Sequence, residues 1–315
     1  MIKFHIPGIT KLYNLNEKFI NIFNNHKEYF YDDISISGIY GAFIPCLWNG
    51  GRIQTSNYID NDKRIEIINH YNELGIGVIY TFTNTEIEPR IYADYICNAD
   101  VVNICNNTKL NKIIIADEGL KQYIANSYSD KDIKFILSTT SDAVLEKNLK
   151  LLKELEDQYD LIVPNYNYNN TDDLFKIKNP SKYEILLNPQ CIDNCPYEKE
   201  HYKNISLINA EKISPNEEFM CPYEANGVFD LVDLKKKKTF INVKDLYTKY
   251  KDKGFETFKI NGRTSNDVSA LSYCIYYMVK PKYIKTVLNE FEEYIIDNYK
   301  EDYFNYVKEE LLKNE

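Results

Sequence analysis

The sequence predicts an α/β fold: an eight-stranded β/α (TIM-like) barrel with C-terminal helices. Three observations carry this prediction. Short apolar runs rich in β-branched residues alternate with longer amphipathic stretches, the pattern of parallel strands joined by helices. About eight such runs occur, the number that closes a barrel. The residues after the runs are polar, and in a barrel the chemistry gathers at the C-terminal ends of the strands. An open doubly wound sheet is the competing arrangement.

The elements follow in order. Residues 2–6 read as the first strand, and 18–31 as a helix with Phe19, Ile22 and Phe23 on one side. A strand at 34–44 leads to a helix at 64–74, which Gly75 ends, as a glycine after the last turn does. Strands at 76–82, 112–116, 133–137 and 161–164 alternate with helical stretches at 89–105, 120–125, 142–159 and 172–176. The strand 183–187 runs straight into a cysteine-rich loop, and 203–235 has no regular pattern. A small strand is expected at 239–241, then a helix at 243–253 closed by Gly254, and a last strand at 255–260. Two helices rich in Tyr and Leu, broken at Pro281, fill the rest. The expected division is a barrel over 1–267 carrying the cysteine loop, with C-terminal helices over 268–315 packed on it.

Composition narrows the function classes. The 315 residues are 44% hydrophobic, enough for a substantial core, with a formal net charge of −9. That balance argues against a free-standing nucleic-acid binder, which presents a basic face. The local run Lys235-Lys236-Lys237-Lys238 reads as a solvated loop. No apolar stretch approaches the roughly 18 residues of a spanning helix, so no membrane partner is expected. No secretory signal is visible after Met1. With seven cysteines, an odd number, spaced unlike a disulfide scaffold, the chain is expected in a reducing cytoplasm where thiols are free to bind metal.

Chemistry concentrates at Cys191-Ile192-Asp193-Asn194-Cys195-Pro196, with His201 six residues beyond and Cys221-Pro222 further on. Thiolates this close are the usual ligands of zinc and of iron–sulfur clusters. The three-cysteine loop of radical S-adenosylmethionine enzymes is not met, because its third position is Glu198. A zinc ribbon would need a second close pair, and Cys221 has no close cysteine neighbour. A cluster would therefore draw on scattered thiols, of which Cys191, Cys195 and Cys221 are the best three.

Arginines fall at two strand ends. Pro45-Cys46-Leu47-Trp48-Asn49-Gly50-Gly51-Arg52 follows the second strand, and Asn261-Gly262-Arg263 follows the last. Paired glycines let backbone N–H groups approach an anion, and arginine clamps carboxylate or phosphate with two parallel bonds. Arg52, Arg263 and Asn188 are the candidate contacts to an anionic substrate. His201 and Arg263 are the candidates for a catalytic part. No phosphate loop, dinucleotide fingerprint, His-Glu-x-x-His motif or Gly-x-Ser-x-Gly elbow occurs.

The second half resembles the U-32 family of collagenase-like peptidases. The resemblance runs through Ile162-Val163-Pro164-Asn165, Asn179 to Asn188, the cysteine stretch to Tyr202, and Phe240 to Arg263. Phe258-Lys259-Ile260-Asn261-Gly262-Arg263 is similar to that family's Lys-Ile-Glu-Gly-Arg signature, with Asn261 in place of the glutamate. The resemblance implies a β/α barrel with a [4Fe–4S] cluster on four cysteines, mapping to Cys191, Cys195, Cys221 and an early cysteine, Cys46. It also implies oxygen-independent hydroxylation, of a small molecule or of RNA, with a partner subunit possible. The alternatives are a zinc-stabilised, non-catalytic binding protein and a true peptidase, for which the sequence offers no nucleophile. Cys97, Cys105 and Cys274 lie in helix-like segments and read as core residues.

Overall fold

Short, largely apolar runs build eight strands: β1 (Ile2–Pro7), β2 (Ile34–Gly41), β3 (Gly77–Phe82), β4 (Lys112–Ile115), β5 (Phe135–Leu137), β6 (Leu161–Ile162), β7 (Glu184–Leu186) and β8 (Thr257–Lys259). The computed structural model describes residues 1–43, 46–50, 59–105, 108–214, 219–222, 231–262, 266–296 and 301–312. The strands pair in the order β6-β5-β4-β3-β2-β1-β8-β7, and each pairing is parallel. A parallel bridge between Ile162 and Tyr183 brings β6 beside β7. The result is a nearly closed eight-stranded barrel with helices between the strands, as the alternation of runs predicts.

Strand periodicity sorts the side chains. Phe4, Ile39, Val78, Ile113, Leu137, Ile185 and Phe258 join the large core between strands and helices. Their neighbours Tyr40, Ile79, Ile114, Ile136, Leu161 and Val163 form a separate cluster inside the barrel. That inner cluster is contributed by β2 to β6. On the arc β7-β8-β1 the inner positions include Glu184, Lys259 and His5, beside Leu186 and Thr257. One side of the barrel interior is apolar and the other also carries charge.

Several expected elements take a different form. The helix expected at 142–159 is two short ones, Asp142–Leu145 and Leu149–Glu154, separated at Lys147 with φ 52°. The expected strand at 239–241 is a turn, and Ile241 N–H donates to Leu187 O at 3.0 Å. Within the irregular 203–235 the structure has the rest of a helix, Glu198–Asn209, and a short one, Leu231–Lys235. The segment after β8 is the almost fully buried helix Asp267–Met278. Its Tyr277 hydroxyl donates to Leu187 O (3.2 Å) and Ile241 O (2.9 Å), which fixes the helix against the end of β7.

Candidate functional site

The polar strand ends surround a cavity of about 270 Å³ at the C-terminal end of the barrel. Hydroxyls come from β3 and from the turn after β5: Thr81, Thr83, Ser138, Thr139 and Thr140. Lys259 and Asn261 come from β8. The opposite wall is Cys191, Ile192 and Cys195 from the loop after β7, Glu198, His201 and Tyr202 from the helix Glu198–Asn209, and Cys221. Thus Cys191, Cys195, Cys221 and His201, picked out in sequence, border one space.

The cysteine loop is held in shape by groups around it. Lys237 donates from Nζ to the carbonyl oxygens of Pro189, Gln190 and Cys191, the first at 3.4 Å and the last at 3.1 Å. Asp193 accepts from Thr239 Oγ1 (2.7 Å) and from Lys238 N (3.1 Å). Tyr166 OH donates to Ile192 O at 3.0 Å, and Asn167 Oδ1 accepts from Asn194 N at 2.7 Å. Asn194 has φ 53°, a conformation asparagine tolerates well, so the chain turns between the two cysteines. The lysine run read as a solvated loop therefore contributes a structural cation, Lys237.

The helix Glu198–Asn209 roofs the cavity. Asn84 Nδ2 donates to Ser206 O at 3.0 Å, and Asn209 Nδ2 to Asn49 O at 2.9 Å. Asn165, buried at the end of β6, donates to both carboxylate oxygens of Glu198 (3.1 and 3.2 Å). Lys147 lies 3.6 Å from the same carboxylate. Burial raises the Glu198 carboxyl above its ordinary range, and Asn165 and Lys147 pull it back. The Cys191 thiol is pushed up to about 12, first by burial and then by the negative charges of Glu198 and Cys195, while Lys237 opposes them. His201 packs its ring against Phe219, with centroids 5.6 Å apart.

The remaining predicted residues lie elsewhere. Asn188 is fully buried and braces β7 to β8: its Nδ2 donates to Asn261 O (3.0 Å) and its Oδ1 accepts from Asn261 N (2.7 Å). Cys46 borders a different cavity, with Asp94, Ile208 and Lys212. Cys97 lies beside it, its thiol raised by burial and by Cys46. Cys97 and Cys274 are core residues, as their helical setting suggests, and Cys105 is partly buried. Arg52 and Arg263 fall outside the described residues. Gly50 has a packing reason for being glycine, since a Cβ there would come within 1.8 Å of Thr83 O. Sequence reasoning does not single out Glu198 or Lys259. Glu198 follows two residues after Cys195-Pro196, and Lys259 sits at an inward strand position, so both left a signal.

Among the described residues, no group of three or more His, Cys, Asp or Glu side chains is arranged to hold a metal ion, and no helix is long and apolar enough to cross a membrane. No family model matches the chain, and no curated protein matches it. Among solved structures the chain is similar to one described as the U32 peptidase Mk0906, at 14% identity and a TM-score of 0.49. The likeness covers 84% of this chain and 94% of that one. At that identity and score, similarity to a U32 peptidase assigns neither a family nor an activity to this chain.

Proposed function

We propose that this chain is a U32-like barrel protein that holds an iron–sulfur cluster at its mouth and acts there on an anionic substrate, in an oxygen-independent hydroxylation whose oxygen atom and two oxidising equivalents come from a second, organic oxygen-donor substrate. What supports the reading is one observation: Cys191, Cys195 and Cys221 border the same cavity at the end of the barrel where chemistry gathers. The donor chemistry fits. A [4Fe–4S] cluster takes one thiolate on each of its irons, so its ligands need not converge on a single ion. Cys46 borders a different cavity, which leaves three thiols around this one for the cluster. A bound cluster would supply electron transfer or an open, Lewis-acidic iron.

The chain's own residues would do the rest. Lys237 brings positive charge to the loop that carries two anionic ligands. Asn165 and Lys147 orient Glu198, whose raised carboxyl suits it to hold and pass a proton at the cavity wall. Ile114, Val163, Leu186 and Ile192 make the rest of the lining apolar and limit water.

Anaerobic reconstitution followed by iron and sulfide analysis tests the proposal. Wild-type protein should take up about four irons per chain, as a [4Fe–4S] cluster requires. Cys191→Ser, Cys195→Ser and Cys221→Ser should lose most of that metal and some thermal stability, since metal that binds only the folded state adds to folding free energy. Cys274→Ser should keep it. Colourless, iron-free wild-type protein would sink the proposal. One zinc per chain would favour the zinc-stabilised binding protein instead.

A further inference from the structure

A separate cavity lies on the outer wall of the barrel, between the helices Leu149–Glu154 and Asp172–Phe175. It holds about 650 Å³ and reaches Tyr183, the residue before β7. None of the residues that line it borders the mouth cavity. Five lysines line it, Lys147, Lys150, Lys153, Lys176 and Lys178, against two carboxylates, Glu156 and Asp173. The chain as a whole carries −9, so this local excess of cations runs against its average.

Protein groups satisfy part of that charge. Lys176 Nζ lies 3.0 Å from Asp173 Oδ1, and Lys147 Nζ lies 3.6 Å from Glu198. Glu156 is buried with both oxygens engaged: Oε1 accepts from Tyr183 OH at 2.8 Å, and Oε2 from Asn179 Nδ2 at 2.5 Å. Lys150, Lys153 and Lys178 are left over. All three are exposed, and none makes an ion pair or a side-chain hydrogen bond among the described residues. Lys150 and Lys153 stand three residues apart on one helix, where like charges repel. Three unpaired ammonium groups around one cavity form a positive field that the protein itself does not answer.

We propose that this cavity binds a phosphorylated small molecule with an apolar or aromatic body, the chemistry of a nucleoside di- or triphosphate. Two or three phosphate charges match the three ammonium groups, and lysine binds phosphate as a point charge. Leu149, Ile177 and the Tyr168 ring, whose hydroxyl donates to Lys147 O, give the same cavity an apolar part for the body. Its volume falls within the roughly 300–1,000 Å³ of ligand pockets. The chain lacks the glycine loop that grips phosphates through backbone N–H groups, so the lysines carry the charge and binding weakens with salt. A nucleic acid is the poorer match, because the cations gather at one cavity and a chain at −9 repels a long polyanion. This site goes beyond the reading above and does not depend on the cluster.

ATP is the probe, and inorganic tripolyphosphate, which lacks a body, is the control, both without divalent metal. Titration calorimetry on the full chain at low salt should show one saturable ATP site per chain, with tripolyphosphate bound more weakly. Lys150→Met, Lys153→Met and Lys178→Met should each weaken ATP about threefold, the worth of one exposed ion pair, and the triple variant about thirtyfold. Lys236→Met removes the same charge outside the cavity and should leave ATP binding unchanged. Ile177→Ser should weaken ATP and spare tripolyphosphate. Circular dichroism confirms folding, which exposed lysines do not govern. Metal-free and reconstituted protein should bind ATP alike, so failure of the cluster assignment leaves this test standing. No saturable ATP binding, or unchanged binding in the folded triple variant, would overturn the proposal. Tripolyphosphate bound as tightly as ATP would overturn the assignment of an apolar body. A short single-stranded RNA bound more tightly than ATP, through the same lysines, would replace the small molecule with a nucleic acid.

Discussion

Two pairs of cysteines stand at the rim of this barrel in opposite surroundings. Cys191 and Cys195 border an open cavity, and their loop is tied down through its backbone carbonyls by Lys237 and through the Asp193 carboxylate by Thr239 and Lys238, which leaves the thiols to face the cavity. Cys46 borders a separate cavity beside Cys97, which is fully buried on the helix Tyr95–Ile104. That helix is locked to the barrel by an inward-facing charge network. Arg64 Nη1 lies 2.6 Å from Asp100 Oδ1, and Tyr80 OH donates to Asp100 Oδ2 at 2.5 Å. The difference teaches that a cysteine after a strand becomes a candidate ligand through what its sulfur faces, and neither residue type nor strand-end position decides that.

The network behind Cys97 offers the largest effect. Arg64 and Asp100 are both almost wholly buried, and breaking a buried pair strands one charge, at a cost of about 3–5 kcal/mol. Arg64→Met should lower stability by that order in chemical denaturation at neutral pH. Burial raises the Asp100 carboxyl, while the Tyr80 hydrogen bond and the Arg64 charge oppose the rise. Without Arg64 it rises further, so the folded variant gains a proton more readily as pH falls and the deficit should shrink toward acid pH. Metal per folded molecule should not change. If it falls with stability, the two cysteine regions are one cooperative unit and the contrast between them fails.

A smaller effect sharpens the other side. Lys237→Met removes the ammonium that collects three carbonyl oxygens of the cysteine loop. Hydrogen bonds to a charged group contribute about 1.5–3 kcal/mol each way they are lost, but Lys237 is only partly buried, so a loss of about 1–2 kcal/mol is expected. The informative measurement is metal release to a chelator, which should quicken several-fold. Release at the wild-type rate would mean that the loop holds its shape without this lysine.

Much of this was legible in the sequence, and what was not has physical causes. Strand periodicity and glycine stops such as Gly75 and Gly254, both at positive φ, mark the barrel because they are local signals. The cysteine loop is local too. The helix Glu198–Asn209 is hidden because its face is mostly polar and it buries little beyond Glu198, Ile205 and Ser206; the acidic Glu198 and Glu200 in its first turn were the available sign. The break at Lys147 is a positive φ on a residue that does not advertise one. The meetings of Cys46 with Cys97 and of His5 with Glu184 join residues far apart in the chain. Only barrel closure brings β1 and β7 to either side of β8, so no window of sequence contains the pair.

Cys46 carries the finest test of the contrast, because resemblance makes it a ligand while its contacts make it part of the wall. A thiol beside a buried thiol loses a little packing when it becomes serine, and gains a hydroxyl that can bond in the same place. Cys46→Ser should therefore cost about 1 kcal/mol or less, near the ordinary range for a mild substitution. Iron after anaerobic reconstitution should match wild type, and so should the visible spectrum. The comparison partner is Cys195→Ser, a residue buried to a similar degree, whose change should remove most of the metal. Equal burial and unequal metal loss would locate the difference in what each sulfur faces. Were Cys46→Ser to lose iron as Cys195→Ser does, Cys46 would have to leave Cys97 and swing to the mouth when the cluster binds. The wall around the Arg64–Asp100–Tyr80 network would then be a moving part of the site.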